Sequence, residues 1–252
     1  MKTALAFMLV TIYWTGTATA QWISYPTPGI PRTPDGKPNL TAPAPRAPEG
    51  KPDLSGIWLT TSGRWLNNLA ADGVEVPFKP EALALFRERQ ANNGKGRPSE
   101  RCISHGVTDF DALGTPTKII QTPAVTAILF EAYNHYRQIF TDGRPLPKDP
   151  QPAWLGYSIG KWDGDTFVVD TIGLNDQTWL DDGGHPHTEA LKVTERFTRR
   201  DFGHMDIQIT IDDPGAYTKP WTVTIPKQLM ADAELIEFMC ENEKDLPHMV
   251  GK

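Results

Sequence analysis

The sequence has 252 residues, and its 25 Lys and Arg against 31 Asp and Glu give a formal net charge of -6. This balance argues against a nucleic-acid-binding protein, which normally carries a basic excess, and a hydrophobic fraction of 39% argues against a disordered chain. The length fits a single β-barrel or sandwich domain.

The first segment, residues 1–20, has the pattern of a secretory signal peptide. Lys2 supplies a positive charge, an apolar run follows it, and Ala18 and Ala20 satisfy the small-residue rule for cleavage near Ala20. The apolar run is shorter than the roughly twenty residues that span a bilayer, and no later stretch is long enough. The sequence therefore predicts a periplasmic or secreted protein without a membrane span.

Residues 21–53 are rich in proline and predict an arm or linker ahead of a single folded domain at residues 54–252. The sequence PRTPDGKPNLT at residues 31–41 recurs as PRAPEGKPDLS at residues 45–55. Two copies are too few for a solenoid, which needs about three units or more. Because dense proline favours extended backbone, we expect a stiff arm that lies across the domain, and a protein-docking motif is the alternative.

The folded domain is predicted to contain one helix and many short strands. The helix begins at Pro80, which suits a first helical position, and ends before Gly94. The domain opens at Leu54–Trp58, and strands are predicted at Lys118–Gln121, Val125–Glu131, Tyr136–Thr141, Tyr157–Trp162, Thr166–Thr171, Leu191–Thr198, His204–Asp212, Trp221–Ile225 and Leu235–Cys240. Asp163-Gly164 predicts a two-residue hairpin turn. We therefore predict an all-β fold, an antiparallel lipocalin-like barrel or a strongly curled sheet with one short helix.

Three segments resemble a family of exported bacterial proteins that has no established activity. They read GYSIGKWDGDTFVV at residues 156–169, PHTEALKVTER at residues 186–196 and TIDDPGAYTKPW at residues 210–221. In addition, LSGIW at residues 54–58 resembles the Gly-x-Trp signature in the first strand of lipocalin-like barrels. The resemblance implies export and a barrel, and it implies no catalytic residue.

Cys102 and Cys240 are the two cysteines of the chain. An even number of cysteines in an exported protein favours a disulfide, and two buried free thiols are the alternative. The absence of a CxxC motif argues against a structural zinc site.

Two acidic residues are predicted to face the apolar interior. Glu195 shares one strand face with Leu191, Val193 and Phe197, and Glu131 ends a run with the same alternation. Because burial of a lone carboxylate is costly, each acid must be paired, protonated or placed at the mouth of a cavity.

Glu131, His187 and Glu195 form the predicted catalytic set. Desolvation raises the pKa of a carboxyl group, so the two acids could serve as general acid and base, with His187 as a proton shuttle. The alternatives are that each acid forms a structural ion pair with Arg137 or Arg196, and that His187 is an ordinary loop residue.

The segment from His185 through His187 to Glu189 suggests a weaker alternative, a metal site. Residues two apart point the same way on a strand, and imidazole with carboxylate suits zinc, iron or copper. A further ligand would have to come from His135 or His105. The preceding Asp and Gly residues indicate a loop, where that geometry is not assured, so no metal or other cofactor is predicted.

Aromatic and polar residues of the second half suggest a ligand cavity. Tryptophans in a cavity stack on flat apolar molecules or on sugar faces, and the alternative is that they belong to the core. The predicted substrate-binding residues are His135, Arg137, Tyr157, Trp162, Trp179 and Trp221.

The chain lacks the GxSxG, GxGxxG, Walker A and HExxH motifs, which argues against serine hydrolases, dinucleotide enzymes, NTPases and zincins. The predicted function is a cofactor-free lyase, isomerase or hydrolase that acts on an apolar or glycosidic small molecule. The alternative is a non-catalytic, lipocalin-like binding protein.

Overall fold

The computed structural model describes residues 26–236 and residue 238. The predicted signal peptide and Cys240 lie outside these residues. Export and the Cys102–Cys240 disulfide therefore stay predictions.

Nine strands form a closed barrel, in agreement with the predicted all-β fold. The strands are β1 (Gly56–Thr60), β2 (Thr117–Gln121), β3 (Val125–Phe130), β4 (Tyr136–Phe140), β5 (Tyr157–Asp163), β6 (Thr166–Ile172), β7 (Lys192–Arg199), β8 (His204–Asp212) and β9 (Trp221–Leu229). Each strand pairs with the next along the chain, and β9 pairs with β1. The sheet is therefore a barrel rather than an open curled sheet.

The odd number of strands explains why the barrel is not wholly antiparallel. Strand directions can alternate around a closed ring only when the number of strands is even, so nine strands require a parallel pair. That pair is β4 and β5, with Ile139 opposite Ser158 and Phe140 opposite Ile159. Parallel neighbours need a crossover connection rather than a tight turn, and residues 141–156 provide it.

The described residues contain three short α-helices, all between β1 and β2. They are α1 (Arg64–Asn67), α2 (Pro80–Ala91) and α3 (Val107–Ala112). The predicted single helix corresponds to α2, and the expectation of only one helix was wrong. Helices as short as α1 and α3 show too little periodicity to be recognised in a sequence, because tertiary packing stabilises them.

The prediction of a strand at Leu235–Cys240 was also wrong for those residues of the range that the structure describes. Leu235 and Ile236 belong to no strand, and Phe238 forms one isolated bridge to Ala132. The physical reason is closure of the barrel: β9 already occupies the edge of β1, so no edge is left for a tenth strand.

Alternate positions of the strands place large apolar side chains inside the barrel, as the two-residue period requires. They include Trp58, Ile128, Ile139, Phe167, Phe197, Ile209 and Ile225. Different segments cover the two ends of the barrel. The arm crosses the end with the β5–β6 turn, which we call the arm end. Residues 61–116 and 173–191 cover the opposite end, the helix end, where the Thr108 hydroxyl donates to the Leu180 carbonyl at 2.7 Å.

The repeated arm sequence folds into the same tight turn twice. The N–H of Gly36 donates to the Thr33 carbonyl and that of Gly50 donates to the Ala47 carbonyl, both at 2.8 Å. Both glycines have φ of +83°, a left-handed conformation that glycine adopts without steric cost. The sequence repeat is therefore also a structural repeat.

Each turn is fastened to the barrel by the arginine at its start. Arg32 lies 2.5 Å from Asp232, and Arg46 lies 2.7 Å from Asp165 in the β5–β6 turn. Each guanidinium also donates to the carbonyl of the glycine in its own turn. The arm is thus held against the barrel at two equivalent points.

Candidate functional site

A group of buried polar side chains lies among the apolar residues of the barrel interior. Its charged members are Arg137 on β4, Glu195 on β7 and Lys227 on β9, and each is at most 3% exposed. Asp111, at the end of α3, reaches the same group from the helix end. Buried charges on neighbouring elements are costly unless they are paired, so their partners decide what the group can do.

Glu195 faces inward with Val193 and Phe197, as its alternation predicts, and it forms a two-pronged ion pair with Arg137. Nη1 of Arg137 donates to Oε1 at 2.9 Å, and Nη2 donates to Oε2 at 2.5 Å. The same guanidinium also donates to the hydroxyl groups of Ser158 and Thr171. Of the two arginines considered from the sequence, Arg137 is therefore the partner of Glu195.

Lys227 is the second buried cation, and it has no carboxylate in direct contact among the described residues. Its Nζ donates to the Thr60 hydroxyl at 2.7 Å and to the Asp111 carbonyl at 2.6 Å. Burial lowers the pKa of Lys227 to about 8, because the charged form loses its hydration. The amine is therefore close to losing its proton at neutral pH.

The Asp111 carboxyl has the opposite shift. Burial raises the pKa of Asp111 well above its ordinary value, and the nearby charge of Glu195 raises it further. Oδ2 of Asp111 has no hydrogen-bond partner in the described part of the chain. The interior thus combines a carboxyl group of raised pKa with an amine of lowered pKa.

The sequence analysis missed Asp111 and Lys227. Lys227 continues the inward alternation of Val223 and Ile225, but the predicted strand ended at Ile225, four residues before the observed end of β9 at Leu229. Asp111 lies in a six-residue helix with no sequence signal of its own. A longer strand would have revealed the lysine, whereas nothing local indicates the aspartate.

Glu131 lies away from this group. The buried side chains of β3 are Thr126, Ile128 and Phe130. The alternate residues, whose face leads to Glu131, are only half-buried. The prediction that Glu131 faces the interior was therefore wrong. The Glu131 carboxylate accepts a hydrogen bond from the Ile236 N–H at 3.1 Å. A two-residue period allows either face, and closure of the barrel selected the other one.

His187 is buried in residues 173–191 at the helix end. Its Nε2 lies 2.8 Å from the Thr178 hydroxyl, and burial lowers the pKa of the imidazole. No hydrogen bond or ion pair joins His187, Glu131 and Glu195 to one another among the described residues. The structure does not bring the predicted catalytic set together.

The three ligands of the alternative metal site also fail to converge. Nδ1 of His185 lies 2.7 Å from Asp181, His187 contacts Thr178, and Glu189 is exposed. The loop conformation is the reason, since neighbouring side chains do not share a direction outside a strand.

Among the described residues, one other group has metal-ligand geometry. It consists of His105, Asp109 and Asp182, and one ligand atom from each lies within 4.8 Å of the others. His105 was considered from the sequence only as an additional ligand for the His185 segment.

The predicted substrate-binding residues are spread over the molecule. Trp221 is a core residue at the helix end, where its ring packs against His185, and Trp179 lies beneath the guanidinium of Arg89. Trp162 packs on Phe167 near the arm end. The tryptophans therefore do not line one common cavity.

The remaining two predicted binding residues lie near opposite ends of β4. The Tyr157 ring packs on Phe140, and its hydroxyl accepts a hydrogen bond from Arg144 at 3.3 Å. The half-buried ring of His135 lies 6.0 Å from that of Phe110. Of the six predicted residues, Arg137 alone belongs to the buried polar group.

A cavity of about 360 Å³ lies between the arm and the barrel. Its walls include Ile30, Ile57, Leu229 and Met230, together with the buried guanidinium of Arg199. Arg199 donates to three backbone carbonyl groups. The cavity also has charged residues of both signs in its wall, because Asp53, Lys118 and Glu234 line it together with Arg199.

Comparison with known proteins found no matching family model, no matching curated protein and no matching solved structure.

In the described part of the chain, no helix is long and apolar enough to cross a membrane.

Proposed function

We propose that the protein is an acid/base enzyme that acts on a small molecule inside the barrel. The observation that carries the proposal is the buried contact of Lys227 with Asp111, where burial raises the pKa of the Asp111 carboxyl and lowers the pKa of the Lys227 amine. A pair of titratable groups whose surroundings shift their pKa values in opposite directions is the arrangement that acid/base catalysis needs.

In this proposal Asp111 is the general acid and Lys227 is the general base. The raised pKa of Asp111 keeps a proton available at neutral pH. Two N–H groups of Lys227 are used by Thr60 and the Asp111 carbonyl. When the Lys227 amine has lost its proton, its lone pair would lie in the remaining direction, toward a bound molecule.

Arg137 and Glu195 have a positioning role in this proposal. Both carboxylate oxygens of Glu195 accept hydrogen bonds from Arg137, so this carboxylate is directed at the guanidinium and not at a bound molecule. Its fixed charge helps to keep Asp111 protonated. Glu131 and His187 take no part, because their polar contacts lie elsewhere.

Access requires movement at the helix end. Asp111 belongs to α3, a helix of six residues whose Thr108 is hydrogen-bonded to Leu180 of residues 173–191. Movement of α3 with this segment would open the interior. The substrate class remains the one that we expect from the sequence, an apolar or glycosidic small molecule, and export places the enzyme in the periplasm or outside the cell.

The proposal is tested with Asp111→Asn, which removes the proposed acid, and with Lys227→Met, which removes the proposed base. Both substitutions approximately keep the side-chain shape. The probes are deuterium exchange into pyruvate and dihydroxyacetone, followed by NMR in D₂O, and hydrolysis of a panel of p-nitrophenyl glycosides. We expect activity in the unmodified protein and a loss of about two to four orders of magnitude in each variant.

The matched control is Asp163→Asn, which removes an exposed carboxylate that pairs with Arg196 outside the barrel. This variant should keep full activity. Inactivity of the unmodified protein on every probe, or full activity in the two folded interior variants, would contradict the proposal.

Binding without catalysis is a second candidate function, favoured by the cavity beneath the arm. A small apolar molecule fits its apolar walls, which include Ile30, Ile57 and Leu229. Ala233→Trp should fill this cavity and abolish binding of the anionic dye 8-anilinonaphthalene-1-sulfonate, whereas Lys227→Met should leave dye binding intact. The opposite pattern would exclude the cavity as the binding site.

A further inference from the structure

Three potential metal ligands from two separate segments meet at the helix end. His105 directly precedes α3, Asp109 lies within α3, and Asp182 belongs to residues 173–191. One ligand atom from each residue lies within 4.8 Å of the other two. A divalent ion between such atoms is within reach of all three after small side-chain movements.

The Asp109 carboxylate has an unused oxygen. Asp109 is 5% exposed, and its Oδ2 contacts Nδ1 of His105. Its Oδ1 is buried and has no hydrogen-bond partner among the described residues. A buried acceptor without a donor is destabilising, and more so when the group is charged, so we expect a cation or a donor at this oxygen.

A second buried His–Asp pair shows that such a pair need not leave a carboxylate oxygen without a donor. His185 contacts Asp181 at 2.7 Å, and these partners are again four positions apart in the chain. The Asp181 carboxylate also accepts hydrogen bonds from the N–H groups of Leu69 and Gly184. The acceptors of Asp181 are thus satisfied by the chain itself, and those of Asp109 are not.

We propose that His105, Asp109 and Asp182 bind one divalent transition-metal ion of the series from Mn²⁺ to Zn²⁺. One imidazole nitrogen and two carboxylate oxygens suit these ions, and the two carboxylates balance the charge of the ion. The Ser99 hydroxyl contacts Asp182 at 3.4 Å and would orient that ligand, as second-shell groups do.

Arg97 competes for one of the ligands. Its Nε lies 4.0 Å from the Asp182 carboxylate, which is a loose contact that leaves the oxygen available. The bound ion would link α3 to residues 173–191, the two segments that cover the helix end. This metal site is separate from the proposed acid/base groups and does not depend on them.

The test uses the untagged full-length protein after dialysis against EDTA. Calorimetric titration with Zn²⁺ and with Mn²⁺, and the visible absorption of added Co²⁺, report binding directly. We expect one ion per chain and a melting temperature that rises with metal concentration. Asp182→Asn and Asp109→Asn should each weaken binding by more than the roughly 10–100-fold typical of second-shell changes.

Asp201→Asn is the matched control. Asp201 contacts His204 at 2.7 Å on the half-exposed surface, without a third ligand. This variant should bind metal like the unmodified protein. Because Asp182 is only half-buried, its variant should fold, and circular dichroism checks this. Absence of binding in the unmodified protein, or undiminished binding in folded Asp182→Asn, would overturn the site, and neither result bears on the interior acid/base groups.

Discussion

Glu195 shows how one charged residue on an apolar strand face is accommodated inside the barrel. The residue and its partner Arg137 lie on different strands, and both are buried. Removing one member of such a pair is strongly destabilising, whereas replacing both by apolar residues is often neutral. The pair therefore matters more to stability than an exposed pair does.

Glu195→Gln should destabilise the protein by about 3–5 kcal/mol, because the amide leaves the Arg137 guanidinium buried without an anion. Urea unfolding followed by tryptophan fluorescence measures the change. Asp163→Asn, which breaks the exposed pair with Arg196, should cost about 1 kcal/mol or less. Equal effects of the two substitutions would show that Glu195 is not held as described.

Lys227 should make stability depend on pH in a defined window. Its pKa is about 8 in the folded protein and about 10.5 when unfolded. Between these two pKa values the unfolded chain binds more protons than the folded chain, so the free energy of unfolding rises with pH. The stability gained in this way is lost again as the pH falls through 8.

The measurement compares urea unfolding of the unmodified protein and Lys227→Met at several pH values from 7 to about 10.5. The difference between the two should grow in favour of the unmodified protein by on the order of 3 kcal/mol across the window. A constant difference would mean that Lys227 titrates normally in the folded state.

At the scale of elements, the arm repeat has a mechanical role that its composition does not reveal. Two similar turns each present an arginine to an aspartate, which is Asp165 in the β5–β6 turn and Asp232 just after β9. Exposed ion pairs contribute little individually. Backbone contacts add to them, since the N–H groups of Phe202 and Gly203 donate to the Ala42 and Leu40 carbonyls, both at 2.7 Å.

Gly203→Ala should release the arm from the barrel. An added Cβ would lie within 3.0 Å of the Leu40 backbone, so the arm must shift. We expect a loss of about 1–3 kcal/mol, as for other overpacked sites, and faster tryptic cleavage within residues 26–53. Gly114→Ala is the control, because an added Cβ there meets nothing within 4 Å. Equal cleavage rates in both variants would argue against the arm contact.

At the scale of the whole molecule, barrel closure decides where the proposed chemistry lies. Closure with nine strands brings β4, β7 and β9 around one interior, so that Arg137, Glu195 and Lys227 meet although they are distant in sequence. The parallel β4–β5 pair is a consequence of the same closure. The helix end completes the site, because α3 contributes Asp111 from outside the sheet.

The sequence by itself determined what depends on local pattern. Two-residue alternation predicted the strands and the inward position of Glu195, and proline at a helix start predicted α2. The repeat in the arm was also visible, because identical residues at a fixed spacing form identical turns. The Arg137 partner could be named only as one of two possibilities, since both arginines lie on strands.

Only the tertiary structure decided which face of β3 is buried, which residues meet and where α1 and α3 form. Alternation is symmetric between the two faces, so Glu131 could not be excluded before the barrel closed. Asp111, Lys227 and the group of His105, Asp109 and Asp182 are assembled from segments far apart in the chain. Local sequence carries no information about such distances, because they arise when the strands close and the helices pack over the barrel end.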